Sequence, residues 1–588
     1  MNLGTRSWTF RSAVWLTNFG NPGHAQGIQY IHMEFAGRRP IRGCATLLHR
    51  AWAARLSIAL VAYGAANVVL YAGLTPLWDG FDEPFHYGYV QYVARYGSLP
   101  VVGRAGLSAE IGQSLALAPA SHLVKRNIPG VMTFDEYFRL PRRDRLALRG
   151  RLDRLESGRT QPDSGGGDYE ALQAPLAYVF LAPFDRLFFW MHLPSRVLAL
   201  RLVGGVCSVL MTAVFTLRLG GQLGLSALAR SSVIFLVFSC QMFYASVAHI
   251  ANDWLAIPLF VLVLSLSVST YLCPGRSSVL ALGLALAAGL LTKAYFLCAV
   301  PPASGVVLVL CLKRKLLLRH AMLFLLLCGG LAGPWYARNL VLYGSLTGMQ
   351  ESAGGTSLRQ VFTAALRLPW ARSVLTTARA ALWTGNNSGT TFDVATIDLL
   401  LLLALAGACL YGTRALIQHP AAPGRTVITG LLCYSMGLAF SAALTFNFTH
   451  GAGIAPAPWY SQVLFPPGLC LLVAGFSIGG LAGRVLWAGT VWLWAYVISA
   501  TYVAKLLPLY GGISAGPTRL AALARSYRDS LGQLYDNLGT VALMPAGLLL
   551  CLTALAVGGA ACLAAWLSIR LLSARADEHG RHTALARL

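Results

Sequence analysis

The chain is 588 residues long, 56% hydrophobic and only 12% charged. Soluble domains hold about a quarter of their residues as Asp, Glu, Lys and Arg, so this composition excludes a soluble enzyme. The formal net charge of +24 sits in short loops between apolar stretches. That is the bias of cytoplasmic loops in membrane proteins, not the basic groove of a nucleic-acid binder, and no nucleic acid is expected as a partner.

In chain order, residues 1–50 come first. They mix Trp, Gly, Arg and His without an apolar core, so they carry no cleavable signal and read as a disordered cytoplasmic segment, with Met33 as an alternative start. About 20 apolar residues cross a bilayer. Such stretches lie near 53–73, 201–219, 229–248, 254–272, 278–297, 294–312, 320–340, 397–413, 426–446, 461–481, 485–506 and 544–570. The sequence therefore predicts an all-α, polytopic transmembrane helical bundle of about 12 or 13 spans. Its expected divisions are the 1–50 segment, a transmembrane domain over 51–506, and 507–588 with an outer loop, the last span and a basic cytoplasmic tail. Of the 12 Cys, all but Cys44 and Cys273 fall within apolar spans, which gives no disulfide framework and no CxxC metal spacing.

Lys and Arg gather at 218–230, 313–319, 414–425, Arg484 and 570–587, which assigns those segments to the cytoplasm. Residues 74–170, 249–254, 293–302, 335–395, 447–460 and 507–543 then lie outside. The parity of crossings makes 172–190, which contains Asp185 and Arg186, a re-entrant or interfacial helix.

The first outer loop, 74–170, holds more than half of the 22 acidic residues. It opens Leu77-Trp78-Asp79-Gly80-Phe81-Asp82-Glu83-Pro84-Phe85-His86-Tyr87. A helix is predicted from Pro84, a residue suited to a first turn, to a stop at Gly97. Phe85, Tyr89, Tyr92, Val93 and Tyr96 fall on one face, a stripe suited to the membrane interface. A second, Arg-rich helix is expected over Pro141–Glu156, then a flexible hinge at Asp163–Asp168. A long loop of this kind is usually functional.

Three carboxylates, Asp79, Asp82 and Glu83, stand within five residues beside His86, more than a helix cap needs. Asp82 and His86 are four apart and can share a helix face. Asp253, after Asn252, sits at the mouth of a span, where a carboxylate is either a cap or functional. Lys293 and Arg338 map to the outer face, where cations are otherwise scarce; they either snorkel or meet a phosphate.

The order of these features resembles the GT-C superfamily of polyprenyl-phosphate-sugar-dependent glycosyltransferases, in the bacterial branch of protein O-mannosyltransferases and lipid A aminoarabinose transferases. The residues that carry the resemblance run over about 50–480: Asp82-Glu83-Pro84-x-His86, Gln173-Ala-Pro175-Leu176-Ala-Tyr178, Asn252-Asp253, Leu291-Thr292-Lys293, Trp335-Tyr336-x-Arg338-Asn339 and Trp459-Tyr460-Ser461-Gln462-Val463-Leu464-Phe465-Pro466. The resemblance implies an inverting transfer of sugar from a polyprenyl-phosphate donor to a lipid, glycan or protein acceptor. The site would face the periplasm or exterior of a bacterial inner membrane. Asp82 inherits the general base with Glu83 in reserve, Lys293 and Arg338 the donor phosphate, and Asp253, Asn252, His86, Gln173 and Tyr178 the cavity. A divalent metal takes part in some members and not others; its candidates are Asp82, His86 and Asp253. Gln462 departs from the pattern, since relatives often carry Arg there.

Two other function classes are compatible with the composition. A secondary transporter or flippase of an envelope precursor would be expected to show repeated halves and paired broken helices, and the sequence shows neither. A non-catalytic assembly protein would have no need of Asp82 and Asp253.

Overall fold

The computed structural model describes residues 41–128, 130–155, 162–349, 351, 356–388, 390–418, 422–513 and 520–573. The expectations for residues 1–40, for Met33 and for the tail beyond 573 lie outside these. The chain divides into two units, Met1–Ala51 and Trp52–Leu588. The described part of the first is the opening of the helix Ile41–Leu74; all that follows concerns the second.

Each apolar stretch is built mainly of helix. Among the described residues ten helices are long and apolar enough to cross a membrane, from Arg55–Leu74 to Ala546–Ser573. The pair Ala227–Phe238 and Gln241–Val247, bent by 65°, makes eleven if it is one span. Counted by length, that is fewer than the expected 12 or 13. The stretch at 278–297 falls short of that length: its helix, Arg276–Leu290, has only 15 residues. The chain then breaks at Lys293, in extended backbone, before the span Ala294–Leu312 begins. Large apolar side chains such as Leu326, Val341 and Met436 face outward, at 67%, 84% and 72% exposure, the belt a lipid-facing bundle requires. Small residues set close approaches inside. A Cβ at Gly205 would lie 2.5 Å from Val68 Cγ1, so glycine there lets the spans Leu193–Gln222 and Arg55–Leu74 meet.

The segment between the first two spans is an ordered cap rather than a connector. Its first helix runs Glu83–Tyr96 and ends on Gly97 at φ 63°, a left-handed stop that glycine adopts freely. The first half of the aromatic stripe is an internal packing face rather than a membrane interface, while Tyr92 is half-buried and Tyr96 exposed. Tyr89 is fully buried and stacks on Tyr178 at 4.0 Å, and Phe85 packs on Tyr169 at 4.4 Å. The Arg-rich helix spans Arg142–Leu152, and Arg149 donates to the Ala542 carbonyl at 2.8 Å. The hinge is a strand instead: Pro162–Gly167 pairs antiparallel with Gly106–Ser108. Segment 172–190 forms a helix at Leu176–Leu187, whose 12 residues are too few to span.

Two buried arginines at the start of the span Leu193–Gln222 anchor this cap. Arg196 pairs with Glu110 at 2.6 Å and with Asp185 at 3.5 Å. Arg201, fully buried, grips both oxygens of Glu83, at 2.7 and 2.5 Å, and donates to the carbonyls of Ala72, Thr75 and Pro76. All five guanidinium donors fall on acceptors, the condition under which a charge can be buried at all.

Candidate active site

The site begins at the turn 78–83, which the first span delivers and Arg201 fixes. Trp78 and Asp82 both hold positive φ, 66° and 53°, a conformation that Asp tolerates better than most residues. Gly80 between them is pressed on His249: a Cβ there would stand 2.6 Å from the His249 Cβ. Asp82 occupies the N-cap position of the helix Glu83–Tyr96, yet its side chain makes no capping hydrogen bond. Its carboxylate is instead hydrogen-bonded to Tyr169. Burial raises the Asp82 carboxyl above the ordinary range, opposed by that hydrogen bond and by the charge of Lys293.

Asp253 and Lys293 form a buried ion pair, Nζ to Oδ1 at 2.5 Å. The Lys293 ammonium also sits 5.1 Å over the Tyr460 ring, a cation–π contact. Asn252 is at the N-cap position of Asp253–Leu272 but does not cap it. Its Nδ2 donates to Gln173 Oε1 at 3.1 Å and to the Thr292 carbonyl at 3.2 Å. Gln173, Asn252, Asp253 and Lys293, from three separate motifs, therefore make one polar unit.

Around it lie His86 and Tyr178, both expected there, and three carboxylates the sequence reading did not single out as site residues, Asp168, Glu170 and Glu351. His86 Nδ1 is 2.9 Å from the Tyr178 hydroxyl and 3.3 Å from Glu170 Oε2. Burial, with the charges of His249 and Lys293, holds His86 well below its usual value, so it is neutral. Glu170 is driven the other way, well above the carboxylate range, by burial and then by Asp82 and Asp168. Asp168, which accepts from the Glu170 amide at 3.0 Å, is raised by burial to about 8. Glu351 is raised by burial and by Asp82. Carboxyl groups crowded this way cannot all ionise, so protons are shared among them. The signal for Glu170 was its place three residues before Gln173, directly at the mouth of an apolar segment.

Two expected members are held by other partners. Glu83, the reserve base, has both oxygens on Arg201 and takes a further bond from the Ile250 amide at 3.0 Å. Arg338 donates to the Pro100 carbonyl at 2.6 Å and lies 4.7 Å over the Trp335 ring. Half-buried, it also lies close enough to Tyr89 for its charge to act on that hydroxyl. Among the described residues no group of three or more His, Cys, Asp or Glu side chains is gathered as a metal site, and the metal candidate Asp253 pairs with Lys293.

Beside the site lies an apolar groove of about 560 Å³, lined by Leu382, Leu438, Leu464, Phe465, Leu472 and Trp494 among others. It shares the segment Pro458–Leu464 with the site: Tyr460 touches Lys293, and the next residue, Ser461, lines the groove. Trp459 packs on Phe81, the neighbour of Asp82, at 4.6 Å.

No family model matches the chain, and no curated protein does. Two of the solved structures to which the chain is similar are as follows. One is ArnT from Cupriavidus metallidurans bound to undecaprenyl phosphate, at 13% identity and a TM-score of 0.44, covering 88% of this chain and 76% of that one. The other is the Archaeoglobus fulgidus oligosaccharyltransferase in its apo form, at 12% identity and a TM-score of 0.37, covering 83% and 56%.

Proposed function

We propose that this protein is a GT-C type glycosyltransferase. It moves a sugar from a polyprenyl-phosphate donor to a lipid, glycan or protein acceptor at the periplasmic or outer face of a bacterial inner membrane. The observation that carries this is the passage, within one residue, from the Lys293-bound Tyr460 to the groove-lining Ser461. A polyprenyl phosphate has that same division: a long apolar chain joined directly to an anion. The tail fits the groove, which is of a size usual for ligand sites, and the phosphate meets Lys293.

In the step, Asp82 accepts the proton of the acceptor hydroxyl as general base. The hydroxyl oxygen bonds to the anomeric carbon from the face opposite the phosphate, so configuration inverts. The anomeric carbon–oxygen bond breaks, and its electron pair leaves with the polyprenyl phosphate. Lys293 stabilises the charge on that leaving group, with Arg338 a second cation at the rim. The raised Asp82 carboxyl suits a base working near neutral pH, and Asp253 holds the Lys293 ammonium in place. ArnT, solved with undecaprenyl phosphate, is a protein of the kind proposed.

The test is direct. Purified protein is incubated with polyprenyl-phosphate sugars extracted from the host membrane, and released polyprenyl phosphate is measured. Release that needs both an acceptor and Asp82 supports the reading. Equal release by wild type and Asp82→Asn sinks it. Mass analysis of the glycan lost in a deletion strain would name the sugar.

A further inference from the structure

Three residues before Asp82, the Asp79 carboxylate is fully buried and ends a chain of hydrogen bonds that the proposed reaction does not use. Gln241 Nε2 donates to the Tyr71 hydroxyl at 2.7 Å, and Tyr71 donates to Asn386 Oδ1 at 2.7 Å. Asn386 Nδ2 donates to the Tyr510 hydroxyl at 3.3 Å, and Tyr510 donates to Asp79 Oδ2 at 2.5 Å. A phenol has one proton to give, so each tyrosine hands the direction on and Asp79 must be the last acceptor. The far end is fixed as well: Gln241 donates to the Thr384 carbonyl at 2.6 Å and accepts from its amide at 2.9 Å.

A second link runs beside the first. The Asn387 amide reaches the Asp79 carbonyl at 3.4 Å, and Asn387 Nδ2 donates to the Gly80 carbonyl at 3.0 Å. The loop 383–388 is thus fastened to both the side chain and the backbone of the turn that carries Asp82. That turn needs fastening. Trp78 and Asp82 flank it at positive φ, and non-glycine residues stay there only where the surroundings over-determine them. Asn386 itself sits at φ 53°, which Asn accepts.

We propose that Asp79 is a positioning residue. With Tyr510 and Asn387 it holds the turn 78–83 so that Asp82 presents its carboxylate to the acceptor, and it ties that turn to the loop 383–388. The proposal rests on the reading of Asp82 as the base, and it adds the reason why the base stays in a strained conformation. It also separates the two aspartates by chemistry: Asp79 is needed as a hydrogen-bond acceptor and Asp82 as a charge.

The experiment compares Asp79→Ala, Asp79→Asn and Tyr510→Phe in the full-length protein in detergent. Hydrogen exchange is read on the peptide covering 76–87, and turnover on donor extracted from host membranes. Asn still offers an oxygen to the Tyr510 proton; Ala and Phe sever the link. Asp79→Ala and Tyr510→Phe should speed exchange in 76–87 and lower kcat roughly 10- to 100-fold, with KM within about threefold, as expected for a misplaced base. Asp79→Asn should keep kcat within about threefold and leave exchange unchanged. Unchanged exchange in Tyr510→Phe, or an Asp79→Asn as impaired as Asp79→Ala, overturns the proposal. If wild type transfers nothing, the exchange measurement still decides the strut, and only the reading of Asp82 falls.

Discussion

Lys293 Nζ and Asp253 Oδ1 stand 2.5 Å apart in a pocket that leaves neither side chain more than 6% exposed. The pair joins the start of one span to the break before another, 40 residues on. Its consequence is that Lys293 meets a donor phosphate as a held, partly neutralised cation rather than a free one. Removing one partner strands a buried charge, which costs about 3–5 kcal/mol. Lys293→Met and Asp253→Leu should each lower the thermal midpoint in detergent well below wild type, while the double variant recovers most of the loss. A double variant as unstable as the two losses added together would show the ions uncoupled.

Glu83 and Arg201 make a second prediction, about stability alone. Because both Glu83 oxygens lie on Arg201, Glu83→Gln leaves a buried guanidinium without its counter-charge. It should reduce folded yield and the thermal midpoint by an amount in the range of about 3–5 kcal/mol. Thermal denaturation followed by tryptophan fluorescence checks it. An unaltered midpoint would return Glu83 to the list of candidate bases.

The contrast between Glu83 and Asp82 shows what the sequence could reveal. Apolar runs are local, so nearly every helix of the bundle was legible, and an apolar average hid only the break at Lys293. Pairing is not local. The residue that decides the role of Glu83 is 118 positions away, and the Arg196 partner of Glu110 is 86 away; both arginines were hidden near the start of an apolar segment. The Tyr89 stripe was visible, but an aromatic face reads alike whether it meets lipid or another helix. Gln173, Asn252, Asp253 and Lys293 were each visible as motifs, and only folding makes them one unit.

Buried carboxyls give a pH dependence of unusual sign. Asp79 is raised by burial to about 7 and Asp168 to about 8. Between the ordinary carboxylate value and these, the folded state binds more protons than the unfolded chain, so stability falls as pH rises. The contribution is complete below the ordinary value near 4 and is lost as pH passes about 7 to 8. His249, lowered by burial to about 4, acts oppositely, but only below its ordinary value near 6.5. The thermal midpoint should therefore drop between pH values of about 6.5 and 8, and Asp168→Asn should flatten that slope. A midpoint that rises over this window would contradict the protonated state of the cluster.

Loop charge predicts which face is outside. In a cysteine-free background, Leu146→Cys, 43% exposed on the Arg-rich helix, should react with an impermeant maleimide on intact cells, and Leu317→Cys, 55% exposed beside the basic 313–315 loop, should react only after lysis. The reverse pattern would turn the site to the cytoplasm and remove the proposed reaction.

Asp82 offers the sharpest separation of fold from chemistry. It makes no capping bond and holds φ 53°, so the backbone tolerates Asn there and favours Gly. Asp82→Asn should keep the thermal midpoint and Asp82→Gly should keep or raise it, since strain is relieved. Both remove the base, whose loss typically lowers turnover by about 10²–10⁴-fold with donor binding nearly intact. The residual pH profile should also lose its acid limb, which in wild type lies above the ordinary Asp range because burial raises this carboxyl. Stable variants with full turnover would mean that the strained aspartate serves only the turn, and the proton of the acceptor would have to go to one of the neighbouring carboxyls, with Glu170 the first to replace.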